Sequence, residues 1–219
     1  MDGTLVSSGS YYLRQVAVDL ALSPFRGPLG PYRMVRLLNQ FRAVRERLRA
    51  HGVVPGLHRV QFELTAERLR IAPEAAAAVL KPLLYESEYV GLVRYIERDA
   101  RESLLRLKRR PLKLGVLSDY PTQRKLAGMG LADIGWDVLL SSEDVDALKP
   151  HPALFLRALE VLEVAPGRAL YVGDRRDTDV AGARAAGLKT CLIKASHHPG
   201  PEADFAVGSL SELADRLGC

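Results

Sequence analysis

The chain of 219 residues has only two cysteines, one tryptophan and 6% aromatic residues. Cys191 lies inside an apolar run and Cys219 is the last residue, so neither a disulfide framework nor a cysteine zinc cluster can be built. Such sparing use of cysteine fits a reducing compartment, and a cytoplasmic location is expected. No apolar run approaches the roughly 20 residues needed to span a bilayer, so no membrane partner is expected. The opening residues contain no basic-then-apolar leader, and a secreted form is not expected. Internal repeats and low-complexity tracts are also lacking. What remains is ordinary for a folded soluble protein, with 47% hydrophobic and 26% charged residues.

The net charge of +5 is unevenly distributed. Residues 13–110 carry 19 Lys and Arg against 10 Asp and Glu, while the remainder carries 12 against 16. A basic segment is thus inserted into a mildly acidic chain. The arginines fall at helical spacing with no aromatic ladder beside them, which favours solvated helix faces, and no nucleic-acid partner is expected.

Two textures alternate. From about Tyr11 to Lys108 the apolar spacing is helical. Leu13, Val16, Ala17 and Leu20 share one face, as do Val35, Leu38, Phe41 and Leu48. Breaks are expected at Pro24 to Pro31, Gly52 to Gly56 and Pro73, and 87–108 reads as one long amphipathic helix. After Pro111, short apolar runs alternate with helical stretches. Strands are expected at 112–118, 136–142, 168–174 and 188–194. That alternation predicts an α/β fold, a doubly wound parallel sheet with its function at the carboxyl ends of the strands.

In this reading four segments leave strand ends carrying polar groups: Asp2-Gly3-Thr4, Ser118-Asp119, Lys149-Pro150, and Gly173-Asp174 with Asp179 beyond. A hydroxyl, a lysine and carboxylates at one sheet edge suit phosphoryl transfer assisted by a divalent metal. Asp174 would offer oxygen to a hard cation such as Mg²⁺.

The stretches DGTLV (2–6), GVLSD (115–119), SSEDVDALKPHPALF (141–155) and VGDRRDTDVAGARAAG (172–187) occur in this order across nearly the whole chain. Together they resemble the haloacid dehalogenase superfamily of hydrolases, in its phosphatase branch with a helical cap inserted after the first motif. The resemblance implies a Rossmann-like core at 1–12 and 109–219 and a cap at 13–108. It implies a Mg²⁺-dependent phosphomonoesterase for a small phosphorylated metabolite, working through an aspartyl phosphate. Asp2 would be the general acid/base and lend its carbonyl oxygen to the metal. Ser118 and the N–H of Asp119 would hold the phosphoryl group, and Lys149 would stabilise it. Asp174 would bind Mg²⁺ directly, and Asp179 would orient a metal-bound water. The acid at Asp2 favours phosphate esters over carbon–halogen bonds, since cleaving the latter needs no acid for an alkoxide. A sugar-phosphate mutase is the less favoured relative on the same scaffold.

In that family the motif begins with a nucleophilic aspartate, which would stand immediately before Met1. The chain as given would then be a degenerate, phospholigand-binding protein, or its start would be assigned too late. The family's first strand lies buried in mid-sheet, where about five large apolar side chains contribute roughly 7–15 kcal/mol. That matches the whole stability of a domain, about 5–15 kcal/mol. A late start is therefore the expectation. His197 and His198 are expected in an exposed loop, Trp136 and Phe155 in the core, and Gly182 and Gly187 in structural roles.

Overall fold

A computed structural model of the chain describes residues 4–5, 31–86, 96–97, 99–193 and 202–219. Asp2, the 13–20 face, the Pro24–Gly30 break and the two adjacent histidines lie outside the described residues.

After the insert come a helix and the core. Helix α4 (Ala100–Lys108) leads to β1 (Gly115–Ser118), α5 (Gln123–Gly128), β2 (Val138–Ser141) and α6 (Ala153–Leu162). There follow β3 (Leu170–Gly173), α7 (Ala181–Ala185), β4 (Lys189–Ile193), β5 (Phe205–Val207) and α8 (Leu210–Arg216). Among the described residues the strand ladders are parallel: β1 with β2, and β3 with β4 with β5. Among the described residues these two ladders are not hydrogen-bonded to each other. β5 is an addition to the expected strands.

The two faces of the sheet separate by side-chain alternation, the period-2 rule of a strand. Val116, Cys191, Ile193 and Val207 join α4, α5 and α8 through Leu104, Leu126 and Leu213 in one cluster. Leu117 and Val138 face the other way, against Leu154, Phe155 and Ala158 of α6 and Ala183 of α7. Helices cover both faces, as the doubly wound reading requires.

Gly182 allows the second layer to close. A Cβ there would lie 2.5 Å from a ring carbon of Phe155 and 2.8 Å from the Pro150 carbonyl oxygen. Gly187 ends its helix with φ at +80°, a conformation that side chains resist. Phe155 is fully buried, and Trp136 is partly buried against the first cluster, donating to the Leu131 carbonyl at 2.7 Å.

The insert holds α1 (Pro31–Leu48), α2 (Leu57–Leu69) and α3 (Pro73–Lys81). Pro73 opens α3 at a position where a missing N–H costs nothing. Leu37 and Phe41 of α1 pack with Phe62, Ala66, Ala76 and Leu80 in a cluster of their own. The buried stripe of α1 is Met34, Leu37, Phe41, Val44 and Leu48, rotated from the expected one, in which Val35 and Leu38 are only partly buried.

The expected helix over 87–108 differs from what forms. Ile96 and Glu97 are not helical; the Glu97 N–H donates to the Leu5 carbonyl at 3.1 Å, and the helix occupies Ala100–Lys108. Ala100 and Leu104 pack into the core cluster, and Asp99 accepts a hydrogen bond from the Ser211 N–H.

Phe155→Ala should destabilise the protein by about 3–5 kcal/mol, because a fully buried aromatic leaves a cavity. Urea titration should show a lower midpoint at unchanged slope.

Candidate active site

Ser118 ends β1, buried and in register with Ser141 of β2. Its Oγ accepts from the Tyr120 N–H at 3.3 Å, which turns the chain out of the sheet. Asp119 follows with both carboxylate oxygens engaged. Arg49 donates to Oδ2 at 2.6 Å and the Ser142 hydroxyl to Oδ1 at 3.0 Å, while Arg45 donates to the Asp119 carbonyl at 2.7 Å. Burial alone would raise the Asp119 carboxyl, but the charges of Lys149, Arg49 and Arg45 outweigh it and hold the group well below the usual carboxylate range.

Lys149 closes the loop that follows β2 and is 6% exposed. Its Nζ donates to Asp179 Oδ1 at 2.6 Å and to the Tyr171 hydroxyl at 3.4 Å. That hydroxyl donates in turn to Asp179 Oδ1 at 3.2 Å. Burial by itself would lower the Lys149 pKa; Tyr171, Asp179 and Asp119 more than reverse this, so the ammonium stays charged. Burial also raises the Tyr171 pKa, leaving a neutral phenol. Asp179 is pushed up by burial and more strongly down by Lys149, and stays ionised.

Gly173 at the end of β3 permits this arrangement. A Cβ there would lie 2.5 Å from the Cβ of Asp179, so a side chain would expel the carboxylate from its place beside Lys149. The Arg175 N–H donates to Asp179 Oδ2 at 3.3 Å. Arg175 itself pairs with Asp177 on the exposed surface.

Asp174 is reached from the opposite end of the chain. Thr4 donates its hydroxyl to Asp174 Oδ1 at 3.4 Å, and Leu5 is buried in the core beside it in sequence. Asp2, two residues before Thr4, lies outside the described residues. The Asp174 carboxyl is raised, first by burial and then by the negative charge of Asp179. Among the described residues no three His, Cys, Asp or Glu gather for a metal. The groups present fit a hard cation nonetheless. Asp174, Asp179 and Thr4 offer only oxygen, the donor type a hard cation takes, and burial and the neighbouring charge of Asp179 both disfavour the ionised Asp174 carboxylate without one.

Lys149 is within electrostatic reach of Asp119, Asp174 and Asp179, and Ser118 stands next to Asp119 at the carboxyl end of β1. Other participants were not anticipated. Arg45 and Arg49 come from the insert, where the arginines were read as solvated. Arg45 is 2% exposed, lies over the Tyr120 ring at 4.2 Å and donates to Gln61. Gln61 continues to Glu143 at 2.7 Å, and Tyr85 and His58 also bond that carboxylate. The available signal was the four-residue spacing of Phe41, Arg45 and Arg49, which puts both arginines on or beside the buried stripe.

The haloacid dehalogenase-like hydrolase family matches residues 1–187, and the chain belongs to that family. It is 29% identical over 188 residues to a glyceraldehyde 3-phosphate phosphatase of Methanopyrus kandleri, covering 80% of this chain and 77% of that protein. It is 37% identical over 158 residues to a phosphoserine phosphatase of Thermus thermophilus, covering 69% of this chain and 61% of that one. The fold matches the crystal structure of a HAD phosphatase from Thermococcus onnurineus with a TM-score of 0.67 at 24% identity, covering 100% of this chain and 95% of the other.

Asp179→Ala should cost about 3–5 kcal/mol, because it strands a buried ammonium. Lys149→Met with Asp179→Leu should recover much of that loss. Both are read by chemical denaturation. Because Asp119 and Asp179 are held below their unfolded values, their stabilisation is full above about pH 4 and is lost as pH falls further. An acid titration should show wild type losing stability more steeply there than Asp119→Asn.

Proposed function

We propose that the protein is a Mg²⁺-dependent phosphomonoesterase acting on small phosphorylated metabolites through an aspartyl phosphate. The observation that supports this reading is the ion pair of Lys149 with Asp179, with Asp119 and Asp174 within electrostatic reach of the same ammonium. Relatives that are phosphatases by name support the ester class.

In this reading the Ser118 hydroxyl and the Asp119 N–H hold two oxygens of the transferring phosphoryl group. Lys149 offsets its growing negative charge, and Asp179 with Tyr171 fixes the lysine in place, so little reorganisation accompanies the reaction. The nucleophile is the aspartate that the motif places directly before Met1. One of its oxygens bonds to phosphorus as the ester P–O bond breaks, and Asp2 gives its proton to the leaving oxygen. Water then attacks phosphorus, Asp2 takes up its proton, and phosphate departs. Asp174 and the Asp2 carbonyl, with Asp179 behind them, would hold Mg²⁺, which when bound would supply positive charge against the phosphoryl group.

The test is a chain extended through the in-frame upstream codons, assayed on p-nitrophenyl phosphate and a panel of phosphorylated metabolites. An Asp codon directly before Met1 and turnover that chelator abolishes and Mg²⁺ restores are expected. Ser118→Ala and Lys149→Met should each lower kcat/KM by about 10²–10³-fold. A stop codon or non-acidic codon at that position, or no turnover by the extended chain, defeats the reading.

A further inference from the structure

One turn after Arg45, Arg49 reaches out of the insert to two loops of the core at once. Its Nη1 donates to the Lys149 carbonyl at 2.5 Å and its Nη2 to Asp119 Oδ2 at 2.6 Å, while Nε is held by Glu46 at 3.0 Å. The two loops follow different strands, β1 and β2, and carry the groups assigned above to the phosphate. Only a planar fork can serve an acceptor on each loop in one geometry; a lysine at this place would reach one of them. With the Arg49 side chain 12% exposed and Asp119 16%, the pair is shielded from solvent screening that weakens surface bridges. Ser142 holds the second Asp119 oxygen, so the carboxylate cannot rotate, and the backbone following Ser118 is held with it.

We propose that Arg49 is a positioning residue of the phosphate site: its guanidinium sets the spacing between the Ser118-Asp119 turn and Lys149 to that of one phosphoryl group. It touches neither substrate nor reacting atoms. Because Arg49 belongs to the insert, seating of the insert and completion of the phosphate site become one event. The proposal rests on the phosphatase reading for its kinetic consequence, but the geometry predicts anion affinity independently of turnover.

The experiment compares Arg49→Met and Arg49→Lys in the upstream-extended chain, with Arg59→Ala as a control that removes an exposed ion pair within the insert. Arg49→Met should lower kcat by about 10–100-fold, the range expected of small misplacements. The factor should be equal for p-nitrophenyl phosphate and a sugar phosphate, and Arg49→Lys should restore only part of it. Combining Arg49→Met with Asp119→Asn should lower kcat no further than the worse single change, since both break one contact. Arg59→Ala should leave kcat within twofold, since that pair is exposed and outside the site.

A changed KM for one substrate alone, or a lowered melting temperature with unchanged kcat, would overturn the proposal. Calorimetry with inorganic phosphate separates it from the phosphatase reading. Should wild type bind phosphate without turning over esters, and Arg49→Met bind at least tenfold more weakly, positioning stands and the phosphatase reading falls. Equal phosphate affinity in the two, or no phosphate binding by wild type, overturns positioning.

Discussion

A buried ammonium is the constraint on which the rest of the structure depends. Removing Lys149 from water carries a penalty of several kcal/mol, and nearby opposite charge must offset it. Asp179 supplies that charge directly, Asp119 from a distance, and Tyr171 completes the hydrogen bonding. Each of these demands something further. Asp179 needs Gly173 to be bare, Tyr171 needs the Phe155 ring packed edge-on at 4.9 Å, and Phe155 needs Gly182 to be bare. The second core layer is therefore shaped around one charged side chain.

The insert takes part in this arrangement. The loop from Ser142 to Lys149 is held by it along its length. Glu143 bonds Gln61, Tyr85 and His58, Val54 donates to the Asp146 carbonyl, Val53 pairs with Ala147, and Leu148 packs among Val44, Leu48 and Leu57. Arg49 then closes on the Lys149 carbonyl. A cap that merely swung over the site would show a thin, polar boundary with this loop. Here an apolar cluster and a hydrogen-bonded network cross it, and the lysine's backbone is as much a part of the insert's packing as of the core's.

Much of this was legible beforehand, for physical reasons. The four longer strands declared themselves as apolar runs ending in polar groups, since a strand buried on both faces has no room for anything else. β5, three residues long, is too short to show a period. Helix α4 was drawn too long because apolar spacing continues upstream of Asp99, while the hydrogen bond from the Glu97 N–H to the Leu5 carbonyl depends on a residue over ninety positions away. The arginines failed for a different reason. The inward face of α1 was phased from apolar residues alone, and two cations on or beside that face do not register in such a count. Charge counting treats every arginine alike, whereas Arg45 is wholly enclosed and Arg47 is exposed.

Helix α2 begins after Gly56, which has no side chain with which to cap it. The cap comes from the core instead: Asp146 accepts from the Gly56 N–H at 3.0 Å and the Leu57 N–H at 2.9 Å. The free amide groups at the start of that helix are thus satisfied by a residue about ninety positions later. Chimaeras that exchange only the segment between the first two motifs would graft a helix without its terminator, and substrate range in such hybrids would be confounded with misfolding. For this chain, the transplantable unit is the helical segment together with residues 142–149.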